Sequence, residues 1–129
     1  ATQHEREQKA AERIYGLLPK EQGKPLLELW EEFEAQQTPE AKFAHTMDNI
    51  QPMLLNDASG GLSWREHSVK LSQILGRNKR TALGSEKIWD YAFNNILKKH
   101  VDSGNIIDDE GVFSAEADAR EKADESNGR

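Results

Sequence analysis

Apolar residues recur three and four positions apart along most of this 129-residue chain, and this spacing limits the possible folds more than any other feature. The clearest case is the run from Ile88 to Val101, which follows the candidate N-cap Ser85 and precedes Gly104, a natural end for a helix. No stretch is a convincing strand, because none shows sustained alternation of apolar and polar residues. We therefore expect an all-α bundle of about five helices.

Proline and capping residues set the expected limits of the other four helices. The first is expected over 3–18 and stops before a proline, and the second follows Pro25. The third begins with Thr38 as its N-cap and a proline at the first helical position. The fourth begins at Ser63, which forms a capping-box pattern with Glu66, and continues to Leu75. The third helix is expected to carry an apolar stripe made of Phe43, Met47, Ile50 and Leu54.

The negative charge of the chain is concentrated at its carboxyl end. The whole chain has 17 Lys and Arg against 23 Asp and Glu, a net charge of −6. Residues 108–129 hold eight of these acids and three of the bases, and their only large apolar residues are Val112 and Phe113. Such a segment buries too little apolar surface to offset the entropy of ordering it. We expect one helical domain over 1–107 and a disordered acidic tail over 108–129, with a docking tail as the functional alternative.

Composition also disfavours several classes of function. A nearly neutral body argues against nucleic acid binding, which needs a basic face. The absence of cysteine excludes disulfides, Cys-based zinc sites and thiol nucleophiles. No apolar run approaches the roughly 18 residues that span a bilayer, and the phosphate-binding glycine loops and HExxH metal motif are missing. We expect a cytoplasmic protein that binds neither nucleic acid nor a membrane.

The histidines offer no metal-binding pattern of their own. No two of them are four residues apart, so no pair can chelate a metal from one helix. Each is therefore interpreted as a surface or partly packed side chain: His4, His45, His67 and His100.

Asp48 is the exception among the acidic residues. It shares a helical ridge with Ala41 and Ala44, and small residues on a ridge let a neighbouring helix come close, so we expect its carboxylate to face the interior. Pro52, four residues later, cannot donate a hydrogen bond to the carbonyl of Asp48. A buried carboxylate needs a metal, several donors or a cation. Asp48 is thus either a metal ligand or the partner of an Arg or Lys on another helix.

Four segments carry a resemblance to a known family. They read LWEEFE (29–34), TPEAKF (38–43), MDNIQPMLLN (47–56) and GGLSWREH (60–67). The first three resemble the second half of HD-superfamily hydrolases of the 5′-deoxynucleotidase-like group, and the fourth resembles a bacterial branch of that group. The resemblance covers about residues 5–105.

The resemblance implies an α-helical, metal-dependent phosphohydrolase acting on nucleoside or deoxynucleoside 5′-monophosphates. Its divalent metal, which could be Mn, Co, Fe, Zn or Mg, would be held by an early His, a central His-Asp pair and a late Asp, and Asp48 matches the late Asp. This chain has no His-Asp dipeptide, so the resemblance implies that the other ligands lie before Ala1. It also implies a homo-oligomer. In a complete site, a metal-bound hydroxide would attack the phosphorus atom.

The alternative is a non-catalytic helical module for interaction or oligomerisation. It is supported by the incomplete metal site and by aromatic residues that could require a partner surface.

Overall fold

The structure is a computed structural model that describes residues 2–114. Of these residues 74% are helical, and none forms a strand beyond a single bridge between Lys70 and Ile107. The all-α prediction is therefore confirmed. A π-helical turn over Ala92–Leu97 joins the helices over Glu86–Tyr91 and Lys98–Asp102 into one continuous helix, and a 3₁₀ turn over Thr81–Leu83 lies before that helix. The α-helices are α1 (Gln3–Tyr15), α2 (Lys20–Ala35), α3 (Pro39–Ala58), α4 (Leu62–Glu66), α5 (Leu71–Arg77), α6 (Glu86–Tyr91) and α7 (Lys98–Asp102).

Two helices begin at the predicted caps. The Thr38 hydroxyl accepts a hydrogen bond from the backbone N–H of Ala41 at 3.2 Å, and the Ser85 hydroxyl accepts one from Ile88 at 3.3 Å. Each hydroxyl satisfies an N–H that has no partner within its own helix. Both caps are therefore confirmed.

The limits of the first two helices differ from those predicted. α1 ends at Tyr15, and α2 begins at Lys20, before Pro25 rather than after it. The Pro19 carbonyl accepts hydrogen bonds from Gln22 and Gly23, both at 2.9 Å, and these bonds start α2 early. Pro25 lies close enough to the helix start that its missing N–H removes one intrahelical bond without ending the helix.

The predicted fourth helix is two helices, α4 and α5. Its N-cap is Gly61 rather than Ser63, and Ser68 adopts a left-handed conformation with φ of 49° that ends α4. The chain then runs alongside Ile107, which donates to the Val69 carbonyl at 3.0 Å and accepts from Leu71 at 2.8 Å. This long-range pairing requires an extended backbone between the two helices.

The core lies between α3, α4, α5, the π-helical turn and the segment that follows α7. The buried line of α3 runs through Ala41, Thr46, Ile50 and Met53. The predicted stripe was therefore wrong except at Ile50, because its other members Phe43, Met47 and Leu54 remain 47%, 37% and 47% exposed. The central apolar cluster consists of Ile50, Met53, Trp64, Leu71, Ile74, Ala92, Ile96, Leu97, Ile106 and Phe113.

The predicted tail began too early. Phe113 is buried, and its ring centroid lies 4.8 Å from that of Phe93. The Asp108 carboxylate accepts hydrogen bonds from the N–H groups of Val112 and Phe113, and the Asp109 carboxylate accepts from Ser72. Residues 108–114 therefore belong to the helical domain, whereas 115–129, the rest of the predicted tail, lie outside the described residues. Within 2–114, no helix has the length and apolar character needed to cross a membrane.

Candidate functional site

Asp48 lies on the outer face of α3, and its side chain is exposed. The expectation that it faces the interior was wrong, because the rest of the bundle packs against the line through Thr46 and Ile50. Its ridge neighbour Ala44 is exposed as well. No Lys, Arg or His among residues 2–114 forms an ion pair with Asp48, so the expected alternative of a cation partner is not observed there either.

Two open recesses meet at Asp48. The first, of about 500 Å³, is mainly apolar and lies between Phe33 of α2 and the exposed side of α3. The second, of about 300 Å³, is more polar and lies between α3 and the end of α5. The α3 residues beside Asp48 in the first recess are Ala44, Met47, Ile50, Gln51 and Leu54. The polar and charged residues around the second are Asp48, Asn49, Gln51, Asn56, Arg77 and Asn78.

A hydrogen-bond network fixes the walls of the polar recess. The Thr46 hydroxyl donates to the Thr81 carbonyl at 2.7 Å, and the Asn49 amide donates to the Thr81 hydroxyl at 3.2 Å. The Thr81 hydroxyl in turn donates to Asn78 at 2.9 Å, and the Asn78 amide donates to the Ile74 carbonyl in α5. Thr46, Thr81 and Asn78 are buried, so these bonds hold α3 and the end of α5 in one geometry.

A second polar cluster lies at the carboxyl end of α3. The Asp57 carboxylate pairs with Lys99 and with Nε2 of His100, the latter at 2.8 Å. The Asn105 amide donates to Nδ1 of His100 at 3.0 Å and to the Gly60 carbonyl at 3.2 Å. Because Nδ1 accepts, the bonds assign the hydrogen of a neutral His100 ring to Nε2, which donates it to Asp57. The hydrogen bond from Lys99, supported by the one from His100, holds the pKa of Asp57 below its ordinary value against the opposing effect of burial.

The burial of His100 corrects its interpretation as a surface or partly packed residue. It is 3% exposed and contacts Trp64 edge-on, with ring centroids 4.9 Å apart. The sequence did contain a signal for this, because His100 follows the core residues Ile96 and Leu97 by four and three positions on one helix face. Gly61 is buried against the same ring with φ of 73°, and a Cβ at that position would overlap Nδ1. The cluster therefore joins α3, α4 and α7 as a structural element.

The other histidines contribute no ligand set. His45 stacks on Phe33 with ring centroids 3.8 Å apart, whereas His4 and His67 are exposed. Across the part of the chain that the structure describes, no three His, Asp or Glu side chains are grouped so that they could hold a metal ion. Asp48 alone does not fit a catalytic metal, which needs about three protein ligands with oriented neighbours.

Comparison with known proteins assigns the family. Residues 1–89 match the family model of the HD domain. The chain belongs to the HD domain family. The 5′-deoxynucleotidase HDDC2 of Mus musculus is 45% identical over 51 residues, which are 40% of this chain and 26% of that protein. The Homo sapiens protein of the same name is also 45% identical over 51 residues, which are 25% of its length.

A solved structure that is similar to most of this chain agrees with the family assignment. It is the crystal structure of a protein from Magnetospirillum magnetotacticum MS-1, described as a predicted metal-dependent phosphohydrolase. The TM-score is 0.74 at 35% sequence identity, and the match covers 84% of this chain and 55% of that one. The chain thus spans about half of the solved relative and about a quarter of each deoxynucleotidase.

Proposed function

We propose that this chain is part of a metal-dependent phosphohydrolase acting on nucleoside or deoxynucleoside 5′-monophosphates, with Asp48 as its ligand to the metal. Membership of the HD family, the description of the solved relative and the name of the curated relatives support this assignment. The observation that carries it is the position of Asp48: an exposed carboxylate, without a cation partner within residues 2–114, where two recesses meet. An exposed carboxylate there can be reached by other ligands and by a small substrate.

Under this proposal the remaining ligands come from outside residues 2–114. Among the described residues, no three His, Asp or Glu side chains are grouped as a metal site, and neither recess is lined by an Asp, Glu or His other than Asp48. The apolar recess gives such a segment a surface to pack on, since Phe33, Met47 and Leu54 line it and Met47 and Leu54 remain exposed. The occupant of that recess is the part of the HD domain that carries the His and His-Asp ligands. The greater length of the solved relative supports this arrangement, because the match covers 55% of that chain.

The first test is phosphate release by the protein at the full length that its gene encodes. A panel of ribonucleoside and deoxynucleoside 5′-monophosphates is supplied with manganese or cobalt, before and after addition of a chelator. We expect release that the chelator abolishes and that returning the metal restores. Release no faster than in the metal-only blank, from protein whose helicity is intact by circular dichroism, would contradict the proposal.

A helical interaction or homo-oligomerisation module is the second candidate function. The observation that favours it is the exposed apolar surface of α3, where Phe43, Leu54 and Leu55 are 47%, 47% and 64% exposed. Apolar side chains grouped on one helix commonly mark an interface. This candidate predicts self-association in analytical ultracentrifugation without metal-dependent phosphate release, so the two measurements separate the two functions.

A further inference from the structure

We propose that Arg77 binds the phosphate group of the substrate in the polar recess beside Asp48, an inference that rests on the proposed function. Arg77 occupies the last position of α5, is exposed, and lines the same 300 Å³ recess as Asp48. None of the other residues that line either recess is a lysine or an arginine. Within the described residues, Arg77 is therefore the source of positive charge in the space where Asp48 faces solvent.

The chemistry of a phosphate monoester explains why such a charge matters. At neutral pH the phosphate group is largely a dianion, and the carboxylate of Asp48 would repel it. A guanidinium opposes this repulsion, because its planar array of N–H donors matches two phosphate oxygens at once. No carboxylate within residues 2–114 forms an ion pair with Arg77, so none of them competes with a phosphate for its donors.

The base of the Arg77 side chain is held in place relative to Asp48. Asn78, the next residue, is buried and accepts the hydrogen bond from Thr81, which accepts one from Asn49 of α3. Asn49 in turn is the neighbour of Asp48. Asp48 and Arg77 are thus each one position from a member of the same hydrogen-bond network, which limits how far the two residues can move apart. Such pre-organisation lowers the entropic cost of binding an anion between them.

Phosphate binding is the direct test of Arg77. Inorganic phosphate is titrated into the protein and followed by ¹⁵N NMR, including the Nε–H resonance of Arg77. We expect a saturable shift, and an apparent Kd about tenfold higher in Arg77→Gln, since hydrogen bonds to charged groups contribute about that factor. The matched control is Arg80→Gln, because Arg80 is exposed but lines neither recess; it should change Kd by less than about twofold. Equal Kd values in all three proteins, or no saturable shift in the wild type, would overturn the inference.

Kinetics separate this inference from the proposed function. We expect Arg77→Gln to raise KM for a nucleoside monophosphate about tenfold, with unchanged metal affinity and unfolding temperature, and Arg77→Lys to restore part of the loss. If Arg77→Gln hydrolyses the substrate with unchanged KM and kcat, Arg77 has no role in phosphate binding, and the proposed hydrolase function stands. If Arg77→Gln weakens phosphate binding about tenfold in a protein that shows no hydrolysis, the hydrolase is rejected and Arg77 remains part of an anion site.

Discussion

Two aspartates on α3 show how the environment assigns different roles to the same side chain. Asp57 pairs with Lys99 and with buried His100, so its charge is used within the fold. Asp48, nine residues earlier, is exposed and makes no such pair among the described residues. The first carboxylate is a structural group, and the second is available to a ligand.

The lowered pKa of Asp57 predicts a dependence of stability on pH. Because the pKa of Asp57 is lower in the folded protein, the ionised carboxylate stabilises the fold. This contribution is complete above the pKa of Asp57 in the unfolded chain, about 4, and it is lost as the pH falls through the lower pKa of the folded state. We expect Asp57→Asn to lower the free energy of unfolding near neutral pH by about 1 kcal/mol. The variant should then lose less of its remaining stability than the wild type on acidification.

Urea denaturation between pH 2 and pH 7 measures this difference. Some acid dependence should remain in the variant, because hydrogen bonds from Ser72 also lower the pKa of Asp109. Parallel pH profiles for Asp57→Asn and the wild type would show that the pair with Lys99 and His100 does not contribute.

At the residue scale, the sequence made Asp48 a candidate metal ligand, which stays a prediction, and it predicted the surroundings of Asp48 incorrectly. Its candidacy came from a family resemblance and from small residues on its ridge, neither of which states which helix face is covered. Arg77 carried no local signal, because it lies 29 positions from Asp48 and meets the same recess only through the fold. His100 carried a usable signal in its spacing from Ile96, but the prediction rested on the spacing of the histidines from one another.

At the scale of the elements, α3 carries two apolar lines of which the bundle covers one. The buried line contacts the core through Ile50 and Met53, and the other keeps Phe43, Met47 and Leu54 exposed. Both lines have helical spacing, so periodicity alone could not distinguish them. The choice depends on the packing of α4 to α7, which is a tertiary property.

Gly84 allows the chain to approach α3 closely, and this predicts a contrast between two glycines. A Cβ at Gly84 would overlap the hydroxyl of Thr46 and the backbone carbonyl of Lys42, whereas one at Gly76 would meet nothing within 4 Å. We expect Gly84→Ala to lower the free energy of unfolding by about 1–3 kcal/mol through overpacking. The matched variant Gly76→Ala, within α5, should raise it by about 0.5–1 kcal/mol through helix propensity.

Chemical denaturation of both variants measures the contrast. If the two substitutions have equal effects, or if Gly84→Ala is as stable as the wild type, the close approach of the chain to α3 does not require glycine at position 84.

Two helix caps set by local chemistry were predicted correctly, whereas two features set by distant contacts were not. The caps at Thr38 and Ser85 act within one turn of their own helices, so three or four residues are enough to recognise them. The break after Ser68 depends on pairing with Ile107, and the order of residues 108–114 depends on a place for Phe113 beside Phe93. Neither partner is visible in the local sequence.

For the whole molecule, the proposed function requires the structure to supply one side of a site. The described residues form a helical body with a buried core, yet they leave an apolar recess and a polar recess open on either side of Asp48. The match to the HD family covers residues 1–89, and the solved relative extends well beyond the aligned region. Our account is that the apolar recess receives the other metal ligands and that the polar recess receives the phosphate.

Activity of an Asp48 variant tests this account most directly. The full-length protein is compared with Asp48→Asn in metal-dependent phosphate release from a deoxynucleoside 5′-monophosphate, with helicity and unfolding temperature measured alongside. Asp90→Asn is the matched control, because Asp90 is exposed on α6 and lines neither recess. We expect Asp48→Asn to lose activity by more than about a hundredfold while remaining folded, and Asp90→Asn to keep it. Turnover by folded Asp48→Asn close to that of the wild type would contradict the account.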